Sequence, residues 1–234
     1  LARQTPDAGE HEIVLGFDGP DPEGERRARR AWLTAGGRPG RLRIAAGPGR
    51  GYIDVRHRLV PTLRGRIVVS LNDDVVPVPG FLAAHRRAHE DLAAAGRQAV
   101  VVGDSRFAPV PDPTILDAAL DRTGLVFFWH AMVDERGEPR SRPGRAERDR
   151  DWGFRHCFGL NVSVLRSELA AAGGVPSVPE TYGYDDVELG WRLSRRGLPV
   201  LFRPEAAAPH EHRYRAAGLL QREFRLGQIG RAHV

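Results

Sequence analysis

The sequence predicts an α/β fold: a mostly parallel central sheet with helices on both faces, a three-layer sandwich. Two observations carry this. From Glu12 to Val102, short apolar runs alternate with helical stretches, the order that builds parallel strands joined by crossover helices. The clearest of these runs ends directly in acidic residues, as a strand does when its carboxyl end opens on a ligand crevice. With 234 residues the chain is long enough for one sizeable domain and short for two.

The elements follow in order. Glu12 to Phe17 is a short apolar strand that stops at the turn Asp18-Gly19-Pro20-Asp21-Pro22. Glu23 to Ala35 is helical and ends at Gly36-Gly37. Arg41 to Ala46 alternates like a strand, and Asp54 to Leu63 follows as a helix. Arg66 to Leu71 is a buried strand that runs into Asn72-Asp73-Asp74. A helix from about Gly80 to Ala95 and a strand over Gln98–Val102 come next. The stretch from Asp104 to Asp151, with Pro109, Pro111 and Pro113 close together, reads as irregular. Phe158 to Leu165 is a strand and Ser167 to Ala172 a short helix. Asp185 to Arg196 is a strong helix stopped by Gly197. Pro199 to Phe202 is a last short strand, and the tail from Arg215 is helical and amphipathic.

Composition narrows the functional classes. The net charge is +5, and every basic side chain is arginine. Those arginines are interspersed with Asp and Glu, and the aromatic residues form no stacking stripe, which disfavours a nucleic-acid-binding module. The charge allows peripheral contact with anionic lipid without localising it. No apolar run approaches the roughly 20 residues of a membrane-spanning helix. The single cysteine, Cys157, excludes an internal disulfide and fits a cytoplasmic location, with the inner membrane face as a variant of it.

Three groups of residues carry chemistry. Asn72-Asp73-Asp74 places adjacent carboxylates at a strand end, where their mutual repulsion favours a hard divalent cation such as Mn²⁺ or Mg²⁺. A polar turn is the competing reading. The block Tyr182-Gly183-Tyr184-Asp185-Asp186-Val187-Glu188 opens a helix. Asp185 and Glu188 have capping-box spacing, which leaves Asp186 unexplained and available as a general base. In His210-Glu211-His212, alternation points both imidazoles to one side, as metal ligands or as ordinary surface histidines. Trp129, His130 and Trp152 suit either an acceptor surface or partial burial, and Cys157 reads as a small buried hydrophobe.

Taken in order, these pieces resemble a family 2-type glycosyltransferase of the GT-A fold. The resemblance runs from Glu12 to about His212. It is carried by Gly16-Phe17-Asp18-Gly19, Asp54-Val55-Arg56-His57, Leu71-Asn72-Asp73-Asp74, Pro79-Gly80-Phe81-Leu82, Phe158-Gly159-Leu160-Asn161, Gly173-Gly174-Val175, Asp185-Asp186-Val187-Glu188 and His210-Glu211-His212. It implies a catalytic domain over residues 1–212 and a helical tail over 213–234. Within that domain it implies that Asp18 meets the nucleotide base and Arg56 the nucleotide or its phosphates. Asn72-Asp73-Asp74 stands as the DxD motif: Asp74 binds the metal directly, Asn72 belongs to the same metal site, and Asp73 is on the donor. Gly159 and Asn161 lie near the sugar, and His210 or His212 reaches the metal or diphosphate. Asp186 becomes the base that takes the acceptor proton.

The implied activity is metal-dependent transfer of a sugar from a nucleotide-diphosphate sugar, UDP favoured, to a saccharide, lipid-linked or other hydroxyl acceptor, with inversion. Asn72 and the Asp-Asp pair depart from the family's usual Asp and Glu-Asp. A non-catalytic nucleotide- or sugar-binding domain of the same fold and a nucleotidyltransferase are the alternatives. The resemblance also implies that the family's first strand is missing and that Leu1 to Thr5 is the end of the helix after it. A sheet without that strand is expected to carry unpaired backbone groups and to be less stable than the complete domain.

Overall fold

The computed structural model describes residues 1–4, 10–123, 125–127, 132, 148–176 and 183–227, and the backbone of 228–231. Trp129, His130, Tyr182 and most of the arginine-rich stretch between Arg136 and Asp151 lie outside the described residues. The architecture is α/β with a mixed, mostly parallel arrangement of strands, as expected.

Strand β1 (Ile13–Phe17) pairs in parallel with β2 (Leu42–Ala46). Helix α1 (Pro22–Thr34) joins them. Its start is fixed by Pro22 at the first helical position and by the Asp21 carboxylate, which accepts from Gly24 N at 2.8 Å. The second sheet contains β3 (Ile67–Leu71), β4 (Val100–Gly103), β5 (Asn161–Leu165) and β6 (Val200–Arg203) in the order β3-β5-β4-β6. β4 and β6 are parallel, and β5 is antiparallel to both β3 and β4. So β3, β4 and β6 run one way and β5 alone is reversed. The carboxyl ends of three strands and the start of the fourth therefore meet at one end of the sheet.

Strand alternation assigns the two faces. Val100, Val102, Val162, Val164, Val200 and Phe202 share a core with Phe158, Leu189 and Leu193. Val101 and Leu201 point the other way, onto Ala88 and Leu92 of α3 (Phe81–Ala94). A sheet buried on both faces explains why β4 and β6 read as unbroken apolar runs and not as alternating ones. On the α3 face, His85 and His89 project together at helical spacing into the sheet. The Ser163 hydroxyl lies 2.8 Å from His85 Nδ1 and 2.9 Å from His89 Nε2.

Helix α2 (Tyr52–Leu59) spans the two sheets. A methyl group on Gly16 of β1 would stand 2.3 Å from Val55 Cγ1, so only glycine lets α2 settle there, while Arg56 reaches Ser70 on β3 at 3.1 Å. Among the described residues β1 pairs only with β2, and β3 only with β5.

The structure corrects one element boundary and adds one helix. The strand expected from Phe158 begins at Asn161, because Phe154–His156 forms a 3-10 turn and Phe158 to Leu160 connects it. Helix α4 (Ile115–Arg122) lies inside the stretch read as irregular. Its signal was the capping box in Thr114-Ile115-Leu116-Asp117, where Asp117 N donates to Thr114 Oγ1 and Thr114 N donates back to Asp117, masked by three prolines just before it. Three further helices follow: α5 (Arg166–Ala171), α6 (Asp185–Arg195) and α7 (Ala216–Arg231). Helix α6 packs closely on the 3-10 turn: a methyl on Gly190 would lie 2.5 Å from Phe154 O and 2.7 Å from Cys157 Cβ. Cys157 is buried, and burial pushes its thiol well above the usual range, as for a structural cysteine. Among the described residues no helix is long and apolar enough to cross a membrane.

Candidate active site

Two clusters form at the open end of the sheet. The first is built by backbone pairing. Past β3, Val75 bridges His210 in antiparallel fashion, Val76 N donates to Pro209 O, and Glu211 N donates to Asp74 O. This brings Asp74 and the His210-Glu211-His212 segment together although they are distant in sequence. Asp74 Oδ2 lies 3.1 Å from His210 Nε2 and 3.3 Å from His212 Nδ1. His210 is buried, with Phe107 stacked on it at 5.3 Å between ring centres. Burial lowers its pKa, more than Asp74 offsets, so the imidazole is neutral and able to ligate.

These three side chains fit a divalent cation. One ligand atom from each of Asp74, His210 and His212 can be chosen so that all lie within 4.8 Å of one another. Adjacent ligands of an octahedral ion with bonds near 2.1 Å are about 3 Å apart, close to the separations seen. One further atom supports this: Asp74 Oδ1 is buried with no hydrogen-bond partner among the described residues, a cost that a bound ion or its waters would relieve. Asn72 and Asp73 are exposed at the strand exit, and Asn72 N donates to Leu160 O.

The second cluster joins α2, α6 and the start of β5. Arg56 Nη1 donates to Asp185 Oδ2 at 2.9 Å and to Asp186 Oδ1 at 3.0 Å. Arg56 Nη2 donates to Ser70 Oγ, which in turn donates to Gly159 O at 2.7 Å. Gly159 N donates to Asp186 Oδ2 at 2.8 Å. Both ends of residue 159 are thus pinned, and both oxygens of Asp186 accept a hydrogen bond. A side chain at 159 has no room, since a methyl would stand 2.1 Å from Asp186 Oδ1 and 2.8 Å from Arg56 Nη1.

Asp185 is not a helix cap. The capping residue is Tyr184, held at φ 64° in the left-handed region, with no side-chain cap bond. That turn swings Asp185 inward, where it is buried and accepts from Tyr52 Oη at 2.8 Å as well as from Arg56. Burial, and next the adjacent Asp186, push Asp185 up to about 6 in spite of Arg56 and Tyr52. Burial and then Asp185 raise the Tyr52 phenol, so it is a fixed donor at neutral pH. A strained non-glycine residue directly ahead of a buried acid is a common mark of a functional site.

The two clusters are continuous: Asp186 is bound to Gly159, and Leu160 is bound to Asn72 at the head of the acidic motif. Of the residues singled out in the sequence, Arg56, Asp74, Gly159, Asp186, His210 and His212 come together here. Arg56 serves as the partner of Asp185 and Asp186, with both terminal nitrogens engaged, and not as an open phosphate contact. Asp18 lies at the end of β1, exposed, and accepts from Gly51 N at 3.0 Å, steadying the start of α2. Asn161 points inward: it is fully buried, with Oδ1 2.9 Å from His85 Nε2 and Nδ2 donating to Ser105 Oγ at 3.0 Å and Ala206 O at 2.9 Å. Its amide groups are consumed by the core and hold the chain ends after β4 and β6, in place of the expected contact with a sugar. Tyr52 and Ser70 stand in no motif of the sequence, and Asp185 reads there as a helix cap. The i, i+4 spacing of Tyr52 and Arg56 on α2 was the available signal. A cavity of about 410 Å³ beside β2 and α2, lined by Val14, Ile44, Leu59 and neighbours, contains none of these residues.

The fold is that of GT-A-type glycosyltransferases. The chain is similar to the mannosyltransferase PcManGT from Pyrobaculum calidifontis, solved with GDP-Man and Mn²⁺: TM-score 0.61 and 18% identity, covering 94% of this chain and 54% of that one. It is similar to GalNAc-T7 solved with UDP, GalNAc and Mn²⁺: TM-score 0.59 and 16% identity, covering 90% of this chain and 39% of that one. It is also similar to residues 1–349 of S. aureus TarS with UDP-GlcNAc: TM-score 0.57 and 11% identity, covering 92% of this chain and 53% of that one. The chain thus spans about half or less of the length of these structures. No protein-family model matches it, and no curated protein matches it.

Proposed function

We propose that this chain is the catalytic core of a glycosyltransferase that moves a sugar from a nucleotide-diphosphate sugar to an acceptor hydroxyl, inverting the anomeric centre. The observation that carries the reading is the continuity of an Asp-His-His cation set with a buried Asp-Arg-Asp cluster at one end of a GT-A sheet. The three neighbours, solved with GDP-Man, with UDP and with UDP-GlcNAc, support a nucleotide-sugar donor and put GDP beside the UDP favoured by the sequence. The order of the motifs from Asp18 to His212 supports assignment to family 2.

Asp74, His210 and His212 would hold Mn²⁺ or Mg²⁺, which supplies positive charge against the leaving diphosphate. The remaining chemistry belongs to the chain. Asp186 takes the proton of the acceptor hydroxyl on a carboxylate oxygen. The acceptor oxygen then bonds to the anomeric carbon as the bond from that carbon to the diphosphate oxygen breaks. A single base opposite the leaving group gives inversion. Arg56, Gly159 N–H and Ser70 aim Asp186, and Asp185 with Tyr52 fixes Arg56. Buried aiming of this kind confines the base to one productive geometry.

The test is Asp186→Asn, followed by release of nucleoside diphosphate from UDP- and GDP-sugars. Turnover is expected to fall at least about 100-fold, the usual worth of a positioned base, with nucleotide affinity unchanged. An Asp186→Asn protein that turns over like the parent contradicts the assignment.

A further inference from the structure

Where the chain enters β5, three consecutive residues each hold a different part of the site. Gly159 N donates to Asp186. Leu160 O accepts from Asn72 N, at the head of the acidic motif. Asn161 reaches the segment that carries the histidines. Its Nδ2 donates to Ala206 O at 2.9 Å and to Ser105 Oγ at 3.0 Å, which ties the exit of β6 to the exit of β4.

Past those exits the two segments run side by side to the cation cluster. Ala208 N donates to Asp104 O at 2.8 Å, His210 N to Arg106 O at 3.0 Å and Ala108 N to His210 O at 2.9 Å. On the other flank Val78 N donates to Ala207 O at 3.1 Å, ahead of the bonds that join Val76 to Pro209 and Asp74 to Glu211. His210 therefore sits in the middle of a three-stranded ribbon, with Val75 on one side and Phe107 on the other. Side chains alternate along such a segment. A slip by one residue would turn Pro209 and Glu211 toward Asp74 in place of the two histidines. The register of this ribbon decides whether the Asp-His-His set exists.

We propose that Asn161 is a positioning residue for the cation site: its amide pins the root of the ribbon in the register that sets His210 and His212 against Asp74. The assignment rests on reading those three side chains as cation ligands. The joint has one orientation. Ala206 O can only accept, so the NH₂ end of the amide must face it, and Oδ1 is left to His85 Nε2 at 2.9 Å. His85 then carries its proton on Nε2, and its Nδ1 accepts from the Ser163 hydroxyl at 2.8 Å. The joint also has no slack, since a methyl on Gly103 would stand 2.0 Å from Ala206 O and 2.5 Å from Asn161 Nδ2. Asn161, Ser105 and Ala206 are fully buried, so water does not replace a bond lost here. Groups that orient metal ligands from behind are worth about 10–100-fold in metal affinity, and Asn161 does so through the backbone of the ribbon.

The experiment titrates Mn²⁺ alone into the purified chain and its variants, following the free ion by electron paramagnetic resonance. The temperature is one at which circular dichroism shows the protein folded. Asn161→Ala is expected to weaken Mn²⁺ binding at least about tenfold. Leu169→Ala is the control for lost stability. Leu169 is buried in the same core but lies in α5, beyond the far end of β5, so this variant is expected to melt earlier and to bind Mn²⁺ like the parent. Ser105→Ala withdraws one acceptor of the amide and is expected to weaken Mn²⁺ about threefold. It carries the test if Asn161→Ala does not fold. Parental affinity in folded Asn161→Ala, or in Ser105→Ala where Asn161→Ala does not fold, overturns the proposal alone. Equal weakening by Leu169→Ala also overturns it, because the loss then follows stability. A parent chain that takes up no Mn²⁺ overturns the cation reading itself, and the role of Asn161 falls with it.

Discussion

Replacing Gly159 by alanine should lower turnover at least about 100-fold while leaving the chain folded. The reason is space and not backbone conformation, because Gly159 is not one of the positive-φ glycines. The new methyl would land 2.1 Å from Asp186 Oδ1 and 2.8 Å from Arg56 Nη1. Asp186 must leave, and with it goes the hydrogen bond from Gly159 N. Overpacking at such a site costs about 1–3 kcal/mol, enough to shift a melt but not to abolish folding. Turnover and melting temperature measured on one preparation separate the two effects. A Gly159→Ala protein with parental turnover would show that Asp186 need not sit against residue 159.

Acid should unfold the chain through two histidines remote from the chemistry. His85 and His89 are buried under the sheet, and burial lowers each from 6.5 to about 4. For His89, the charges of His85, Arg66 and Arg203 add to the effect, and the hydrogen bond with Ser163 offsets part of it. The unfolded chain takes up these protons below about pH 6.5 while the folded chain refuses them. The stability contributed is therefore present at neutral pH and is lost as pH falls from about 6.5 toward 4. Each histidine contributes about 3 kcal/mol over that span, a slope of up to about 1.4 kcal/mol per pH unit. Against the 5–15 kcal/mol typical of a domain, the pair removes a large share of the stability by about pH 4. Urea melts at pH 7, 6 and 5 measure the slope. His85→Gln with His89→Gln should flatten it, and a parental slope in that double variant would place the acid sensitivity elsewhere.

Much of the fold was legible because its signals are local. Arg66 to Leu71 is apolar on both faces and stops at charge, and Asp21-Pro22 and Gly197 mark helix ends by their backbone preferences. Helix α4 was lost because three prolines dominate its neighbourhood while its own start rests on the pair Thr114 and Asp117. The site was half legible. Asp74, Asp186 and the two histidines stand in short motifs with a recognisable order. Tyr52, Ser70 and the role of Arg56 depend on three elements converging, which no spacing along the chain encodes. Asp185 illustrates the difference most clearly. Its spacing to Glu188 is that of a cap, but Gly183 and the left-handed Tyr184 rotate it into the interior, where it binds Tyr52 and Arg56. Asn161 shows the converse: it stands next to site residues in sequence, yet strand alternation turns it to the His85 side of the sheet.

The most direct measurement is calorimetric titration of UDP and of GDP into the 234-residue chain, with and without Mn²⁺, repeated on Asp74→Ala. Nucleotide binding is predicted to require Mn²⁺ and to vanish in Asp74→Ala, since Asp74 is the one carboxylate among the described residues shared by both histidines. Nucleotide binding indifferent to both the ion and the substitution, or no binding of either nucleotide by the folded chain, would contradict the assignment of this cluster as a cation-dependent donor site.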